Sequence, residues 1–204
     1  MTPLMLALLL PLALARVTWI TEAFCDELRD RTRDLFDAAA LLDATPLDAD
    51  LWLGNVCAAT NHVFLAQYNI THVVNMAQEW GDHCDPALCG ARDDCHVRRY
   101  CFALDDTTVA DRAEVTRLLE AAAARVTALR DAGHRVLVHC NMGVSRSTAV
   151  VLRHLMDREP TLLYSEALGR VRRLRPIATP NVLFELLLDS VPERKRRWKA
   201  KFEL

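Results

Sequence analysis

Apolar and polar residues alternate along the chain in blocks that predict strands and helices in turn. Short apolar runs predict buried strands at residues 51–53, 70–74, 100–104 and 135–139. Apolar residues at helical spacing predict helices at residues 20–42, 58–67, 111–130, 147–156, 164–173 and 180–190. Because strands alternate with helices, the sequence predicts an α/β fold with a central, mostly parallel, twisted sheet flanked by helices.

Three regions differ in composition. Residues 43–190 hold the alternating strands and helices and predict one domain. Residues 1–42 precede it as an apolar segment and a helix, and residues 191–204 follow it as a basic tail. The 204 residues are 51% hydrophobic and 25% charged, which excludes a largely disordered chain or a fibrous repeat.

Basic charge is concentrated at the carboxyl end, although the net charge of the chain is only −2. All three lysines, Lys195, Lys199 and Lys201, lie in the last ten residues. Residues 194–201 could contact RNA, an acidic protein or a membrane surface, or could form an ordinary solvated helix.

The amino-terminal residues 4–15 are apolar throughout, and Ala13-Leu14-Ala15 resembles a small-residue cleavage site. No Lys or Arg precedes Arg16, and the run is short of the ~20 residues that a membrane-spanning helix needs. Three interpretations stay open: a helix that packs on the domain or a partner, a signal or anchor, and a segment absent from the mature protein.

The cysteines indicate where the protein is located. Seven are scattered without a regular framework in a chain that is long enough to bury a core without disulfides. This favours mostly free thiols and a reducing compartment. The expected location is therefore cytoplasmic or nuclear, with secretion or membrane association through residues 1–20 as the alternative.

Residues 136–148 carry the most informative chemistry. The predicted strand ends at His139, Cys140 follows, and Arg146 stands at the start of a predicted helix. The intervening loop consists of Asn141, Met142, Gly143, Val144 and Ser145. Backbone N–H groups of a tight loop and a helix N-terminus attract an anion, and an Arg fork can clamp two phosphate oxygens. The segment predicts a phosphate cradle in which Cys140 is a thiolate nucleophile and Arg146 binds the phosphate.

Neighbouring side chains have expected supporting roles. Gly143 lets the loop close where a side chain would intrude. His139 would orient the loop through hydrogen bonds. Ser147 could donate a hydrogen bond to the Cys140 sulfur and help it to leave in a second step.

Residues 139–147, His-Cys-Asn-Met-Gly-Val-Ser-Arg-Ser, match the His-Cys-x5-Arg-Ser/Thr signature of the cysteine-dependent protein tyrosine phosphatases. The ending Gly-Val-Ser-Arg-Ser resembles the dual-specificity branch, and the chain is similar to its small atypical members. Three further segments resemble that branch: its opening strand at residues 50–55, its second strand at 70–75 and its late turn at 175–181. The resemblance therefore covers about residues 45–190. It implies hydrolysis of phosphotyrosine and phosphoserine or phosphothreonine proteins through a phosphocysteine intermediate, with no cofactor and no metal.

The resemblance also implies a general acid in the loop after the strand at 100–104. Asp105, Asp106 and Asp111 are the carboxylates there. The family's spacing aligns Asp106 with the acid, and Asp105 is the alternative. Asp111 is expected to cap the following helix.

Two other functions stay open, an RNA 5′-phosphatase of the same superfamily and a module that binds phosphoproteins with little turnover. No recognition loop that would deepen the pocket precedes the first helix of the predicted domain, which favours dual specificity. The cradle contains no Lys, which favours a protein substrate over a phosphoinositide.

Two further motifs have ordinary interpretations. One loop contains a cluster of two histidines and three cysteines, His83, Cys84, Cys89, Cys95 and His96. Their spacing fits no strong zinc-binding pattern. Asn69-Ile70-Thr71 is an N-glycosylation sequon. Its position at the start of a predicted buried strand favours coincidence. Cys57 and Cys101 are candidate redox partners of Cys140.

Overall fold

A computed structural model describes residues 25–27, 43–77, 97–107 and 110–190. The chain divides into two units, Met1–Leu42 and Asp43–Leu204. In the first unit residues 25–27 are helical, within the helix predicted for residues 20–42. The rest of that helix, the apolar run 4–15, the Cys/His cluster and the basic tail lie outside the described residues, and so do the predictions made for them.

Five strands of the second unit form one sheet. They are β1 (Ala44–Pro46), β2 (Leu51–Gly54), β3 (His72–Asn75), β4 (Arg98–Cys101) and β5 (Val136–His139). Their order is β1-β2-β5-β3-β4, with β1 antiparallel to β2 and every other pair parallel. The predicted mostly parallel sheet is confirmed.

Both edge strands differ from the sequence-based prediction. No strand is predicted before residue 51, yet Ala44–Pro46 forms β1, in which the proline stands at the end of an edge strand and leaves the ladder intact. β4 begins at Arg98 rather than at Tyr100 and ends at Cys101. As an edge strand it is only partly buried, so its limits do not coincide with an apolar run.

In the part of the second unit that the structure describes, six helices flank the sheet. They are α1 (Val56–Thr60), α2 (His62–Gln67), α3 (Arg112–Asp131), α4 (Arg146–Arg158), α5 (Tyr164–Leu174) and α6 (Val182–Asp189). The prediction of one helix over residues 58–67 is wrong, because Asn61 ends α1 and caps α2. Its side chain accepts a hydrogen bond from the Phe64 N–H at 3.0 Å and so competes with continuation of the helix.

Successive residues of the central strands face opposite sides of the sheet. Leu51, Leu53, Val136 and Val138 belong to the larger core, which also contains apolar residues of α3, α4, α5 and α6. Trp52 and Leu137 belong to the smaller core with residues of α1 and α2. Burial on both faces explains why β2 and β5 are almost continuously apolar and were visible in the sequence.

A buried histidine joins α4 to α3. His154 Nδ1 lies 2.8 Å from the Thr127 hydroxyl, which itself donates to the Ala123 carbonyl. Arg130 donates from Nη1 to His154 Nε2 at 2.8 Å. These partners fix a neutral imidazole with its proton on Nδ1, because Nε2 must accept. Burial, and then the charges of Arg130 and Arg158, lower the pKa of His154 from 6.5 to about 4.

The domain is therefore expected to lose stability as the pH falls from 6.5 to about 4. The unfolded chain takes up a proton at His154 over this range, and the folded chain does not. A shift of this size is worth at most about 3 kcal/mol. Urea unfolding at a series of pH values should show a weaker pH dependence in His154→Gln than in the wild type. Equal slopes would contradict the assignment.

Candidate active site

The loop of residues 140–145, here called the cradle loop, connects β5 to α4 at the carboxyl end of the sheet. Two backbone hydrogen bonds fix it to its neighbours. The Val56 N–H donates to the Asn141 carbonyl at 3.1 Å, and the Thr179 N–H donates to the Val144 carbonyl at 2.8 Å. The loop thus lies at the N-terminus of a 13-residue helix, where the helix dipole favours an anion.

Cys140 lies at the base of the cradle loop. It is a free cysteine, and only 2% of its surface is exposed. The Gly143 N–H donates to its sulfur at 3.3 Å, and the Ser147 hydroxyl oxygen lies 3.2 Å from the sulfur. Both groups can stabilise negative charge on the sulfur atom.

The backbone of the loop requires glycine at position 143. Gly143 has φ +68°, in the left-handed region. A Cβ at this position would lie 2.5 Å from the Gly54 carbonyl oxygen and 2.7 Å from Arg175 Nη2. A side chain would therefore meet the backbone of β2 as well as strain the turn.

The residues next to Cys140 in sequence are buried to different extents. His139 is buried at the end of β5, and its Nδ1 donates to the Cys140 carbonyl at 3.1 Å. Asn141, Val144 and Ser145 are half-buried. Met142 is 43% exposed at the rim.

Arg146 and Asp106 face each other at the opening of the loop. Arg146 is the first residue of α4 and is buried, and its Nε lies 3.6 Å from Asp106 Oδ2. The Ser145 hydroxyl donates to Asp106 Oδ1 at 2.6 Å. Asn181 Nδ2 donates to the same oxygen and to the Asp106 carbonyl, both at 2.9 Å. Asp106 is therefore held at the cradle.

The three candidate acids have different contacts. Asp105 accepts hydrogen bonds from the N–H and the hydroxyl of Thr107, at 2.9 and 3.1 Å. Asp111 caps α3 by accepting from the Ala113 N–H at 2.8 Å, as predicted. Of the three, Asp106 has hydrogen bonds that connect it to the cradle loop.

Two residues of the site had no role assigned from the sequence. Asn181 caps α6 by accepting from the Phe184 N–H at 3.1 Å, while its amide nitrogen holds Asp106. Arg175 is 1% exposed and lies behind the cradle loop. Its Nε donates to the Gly143 carbonyl at 2.9 Å, Nη2 to the Met142 carbonyl at 3.4 Å and Nη1 to the Thr45 hydroxyl at 3.1 Å. Both residues lie in segment 175–181, whose only signal was its resemblance to a family turn.

Arg175 also places a positive charge behind the loop. Burial lowers the pKa of Arg175 to about 10, and the proximity of Cys140 and Asp43 partly opposes this effect. The guanidinium therefore remains charged at neutral pH. Its charge favours an anion in the cradle, and its fork holds the loop carbonyls away from that anion.

Arg175→Lys is expected to destabilise the domain by about 2–4 kcal/mol, because one ammonium group cannot replace three divergent hydrogen bonds from a buried fork. Urea unfolding measures the loss. The matched control is Arg173→Lys on the exposed face of α5, which should change stability by less than about 0.5 kcal/mol. Equal small changes in both variants would contradict the role given to Arg175.

The bonding state of the described cysteines differs from the one predicted. Cys25, Cys57 and Cys101 are disulfide-bonded, whereas Cys140 is free. The prediction of mostly free thiols is therefore wrong for the described residues. Cys57 and Cys101 are also not available as thiols that could protect Cys140 under oxidation. The spacing of cysteines along a chain cannot show which of them the fold brings together, so these disulfides were not predictable from the sequence.

The described residues show neither a metal-binding cluster nor a membrane-spanning helix. Among them there is no group of three His, Cys, Asp or Glu side chains placed to hold a metal. No helix in those parts of the chain has the length and apolar character needed to cross a membrane.

The chain is similar to known proteins in sequence and in fold. Residues 51–190 match the family model of the dual specificity phosphatase catalytic domain. Dual specificity protein phosphatase 1 of Arabidopsis thaliana is 30% identical over 138 residues, covering 68% of this chain and 63% of the relative. A probable rhodanese domain-containing dual specificity protein phosphatase of Dictyostelium discoideum is 33% identical over 155 residues, covering 76% of this chain but 30% of the relative. The chain thus spans less than two thirds of each of these relatives.

Solved structures agree. The crystal structure of human DUSP28 aligns with a TM-score of 0.62 and 27% identity, over 76% of this chain and 95% of that one. A mouse putative dual specificity phosphatase complexed with zinc tungstate aligns with a TM-score of 0.62 and 25% identity, over 78% of this chain and 90% of that one. With the matched domain and the cradle described above, the chain belongs to the dual specificity phosphatase family.

Proposed function

We propose that this protein hydrolyses phosphate monoesters on phosphotyrosine and on phosphoserine or phosphothreonine proteins through a phosphocysteine intermediate. One observation carries the proposal. The free sulfur of Cys140 lies at the base of a loop that supplies a backbone N–H and a hydroxyl to it, while Arg146 and Asp106 face each other at the opening.

In the first step the Cys140 thiolate attacks phosphorus. The S–P bond forms as the bond from phosphorus to the substrate oxygen breaks. Backbone N–H groups of the loop and the Arg146 guanidinium bind the phosphoryl oxygens. Asp106, in its protonated form, gives its proton to the leaving oxygen, so that an alcohol or a phenol departs.

In the second step water attacks the phosphocysteine. Asp106, now a carboxylate, accepts a proton from the water as the new O–P bond forms. The S–P bond breaks and inorganic phosphate is released. The Ser147 hydroxyl, 3.2 Å from the sulfur, stabilises the departing thiolate by donating a hydrogen bond.

Several features support a protein substrate. The cradle has no Lys, and its rim carries the exposed thioether of Met142. Asp106 is itself partly exposed, so the proposed proton donor lies near the surface. A shallow cradle can accept short phosphoserine and phosphothreonine side chains as well as the longer phosphotyrosine. The relatives named as dual specificity phosphatases support the same substrate class.

Steady-state hydrolysis of four substrates tests this proposal. They are a phosphotyrosine peptide, a phosphothreonine peptide, a 5′-triphosphate RNA and a phosphoinositide, each assayed against the Cys140→Ser variant as a blank. Turnover of both peptides is expected. Turnover of the RNA or the lipid alone would overturn the proposed substrate class. Tight peptide binding without turnover would show a binding module instead.

A further inference from the structure

The sequon Asn69-Ile70-Thr71 does not lie within a buried strand. β3 begins at His72, and Asn69 belongs to the turn that closes α2. Its N–H donates to the Ala66 carbonyl at 3.0 Å, and the Ile70 N–H donates to the Leu65 carbonyl at 2.8 Å. Asn69 has φ +52°, the left-handed conformation that ends many helices and that Asn tolerates better than most residues.

The Asn69 side chain is available for modification. The residue is exposed, and among the described residues its side-chain amide has no hydrogen-bond partner. The turn explains why an Asn is tolerated at this position but makes no use of its amide. No other Asn-x-Ser/Thr sequence occurs in the 204 residues. Asn69 is therefore not buried at the start of a strand, and that reason to expect a coincidental sequon does not apply to it.

The sequon lies at the amino end of the parallel strands, whereas the cradle loop lies at their carboxyl end. β3 and β5 are parallel, and His72 pairs with Val136 at their amino ends. Asn69 precedes that end of β3, whereas Cys140 follows the carboxyl end of β5. A bulky group on Asn69 would leave the opening of the cradle clear.

The oxidation state of the described cysteines is an independent observation. Cys25, Cys57 and Cys101 are disulfide-bonded. Disulfides form and persist in the secretory pathway and outside the cell, which are also the locations in which asparagine is glycosylated. The apolar residues 4–15, with Ala13-Leu14-Ala15, are compatible with entry into that pathway.

We propose that Asn69 carries an N-linked glycan and that the phosphatase domain resides in the lumen of the secretory pathway or outside the cell. The glycan nitrogen would be the Asn69 side-chain amide, joined to the sugar of a lipid-linked oligosaccharide donor with loss of the lipid diphosphate. Asn69 would be glycosylated while the chain is being synthesised, before the Thr71 hydroxyl donates its hydrogen bond to the Arg135 carbonyl in the folded domain. This location is the alternative to the cytoplasmic or nuclear one expected from the sequence.

The test expresses the full chain in a eukaryotic cell line and treats it with peptide-N-glycosidase F. The wild type should gain mobility on a gel after treatment, and its peptide containing residue 69 should show conversion of Asn to Asp. Asn69→Gly preserves the left-handed turn but removes the acceptor, so it should migrate like the treated wild type before and after treatment. Thr71→Ser keeps both the sequon and the hydroxyl, and it should retain the shift.

Catalytic activity separates this proposal from the proposed function. Asn69→Gly should hydrolyse phosphopeptide at the wild-type rate, because residue 69 lies away from the cradle loop. A wild-type chain whose Asn69 peptide is wholly unmodified would overturn the proposal, whether or not the protein is an active phosphatase. A shift that persists in Asn69→Gly would overturn it as well.

Discussion

Replacement of Cys140 by Ser is expected to abolish hydrolysis of phosphopeptides while the protein stays folded. The Ser oxygen can still receive hydrogen bonds from Gly143 and Ser147, the groups that contact the sulfur. A hydroxyl is a much weaker nucleophile than a thiolate at neutral pH. Because loss of a nucleophile removes the covalent pathway, kcat should fall by at least about 10⁴-fold. Steady-state hydrolysis of a phosphotyrosine peptide measures the effect.

Binding and stability are the controls for this variant. Cys140→Ser should bind the phosphopeptide in calorimetry, since the loop N–H groups and Arg146 are unchanged. Its thermal unfolding should be similar to that of the wild type, because the substitution at this buried position is small. Turnover retained in a folded variant would end the phosphocysteine mechanism.

Replacement of Asp106 by Asn is expected to act selectively on the leaving group. Asn still presents an oxygen to Ser145 and Asn181, so the loop should keep its position. It cannot give up a proton to an alkoxide, and loss of a general acid costs about 10²–10⁴-fold. Hydrolysis of a phosphothreonine peptide should fall by that amount. An aryl phosphate with a good leaving group should lose far less activity.

Asp105→Asn is the matched control, one residue away and of the same chemistry. Asp105 holds Thr107 and has no described contact with the cradle loop, so both substrates should be hydrolysed at close to the wild-type rate. If instead Asp105→Asn shows the leaving-group dependence, the acid is Asp105. Equal losses on both substrates in Asp106→Asn would assign Asp106 a structural role.

The sequence was informative where a local pattern has a local physical cause. β2 and β5 are buried on both faces, so they appear as apolar runs whatever their neighbours. The cradle loop and the first residue of α4 form one continuous segment. Cys140, Gly143 and Arg146 are each required there by the chemistry or by the local backbone geometry. The helix N-cap at Asp111 was likewise visible because a cap acts over a single turn.

Features that depend on distant parts of the chain were missed. Arg175 supports a loop more than 30 residues earlier, and Asn181 holds Asp106 across an even longer separation. β1 pairs only because β2 returns beside it, and its three residues carry no pattern of their own. The disulfide-bonded state of Cys57 and Cys101 also depends on the folded arrangement. In each case the partner, rather than the residue type, determines the role.

Direct capture of the intermediate tests the central claim. Asp106→Asn should form phosphocysteine rapidly from an aryl phosphate but hydrolyse it slowly, because the carboxylate that accepts a proton from water is missing. Acid quenching followed by peptide mass spectrometry should then find a phosphoryl group on Cys140 and none in the variant that also carries Cys140→Ser. A burst of released phenol without phosphate on Cys140, or phosphate on another residue, would contradict the mechanism.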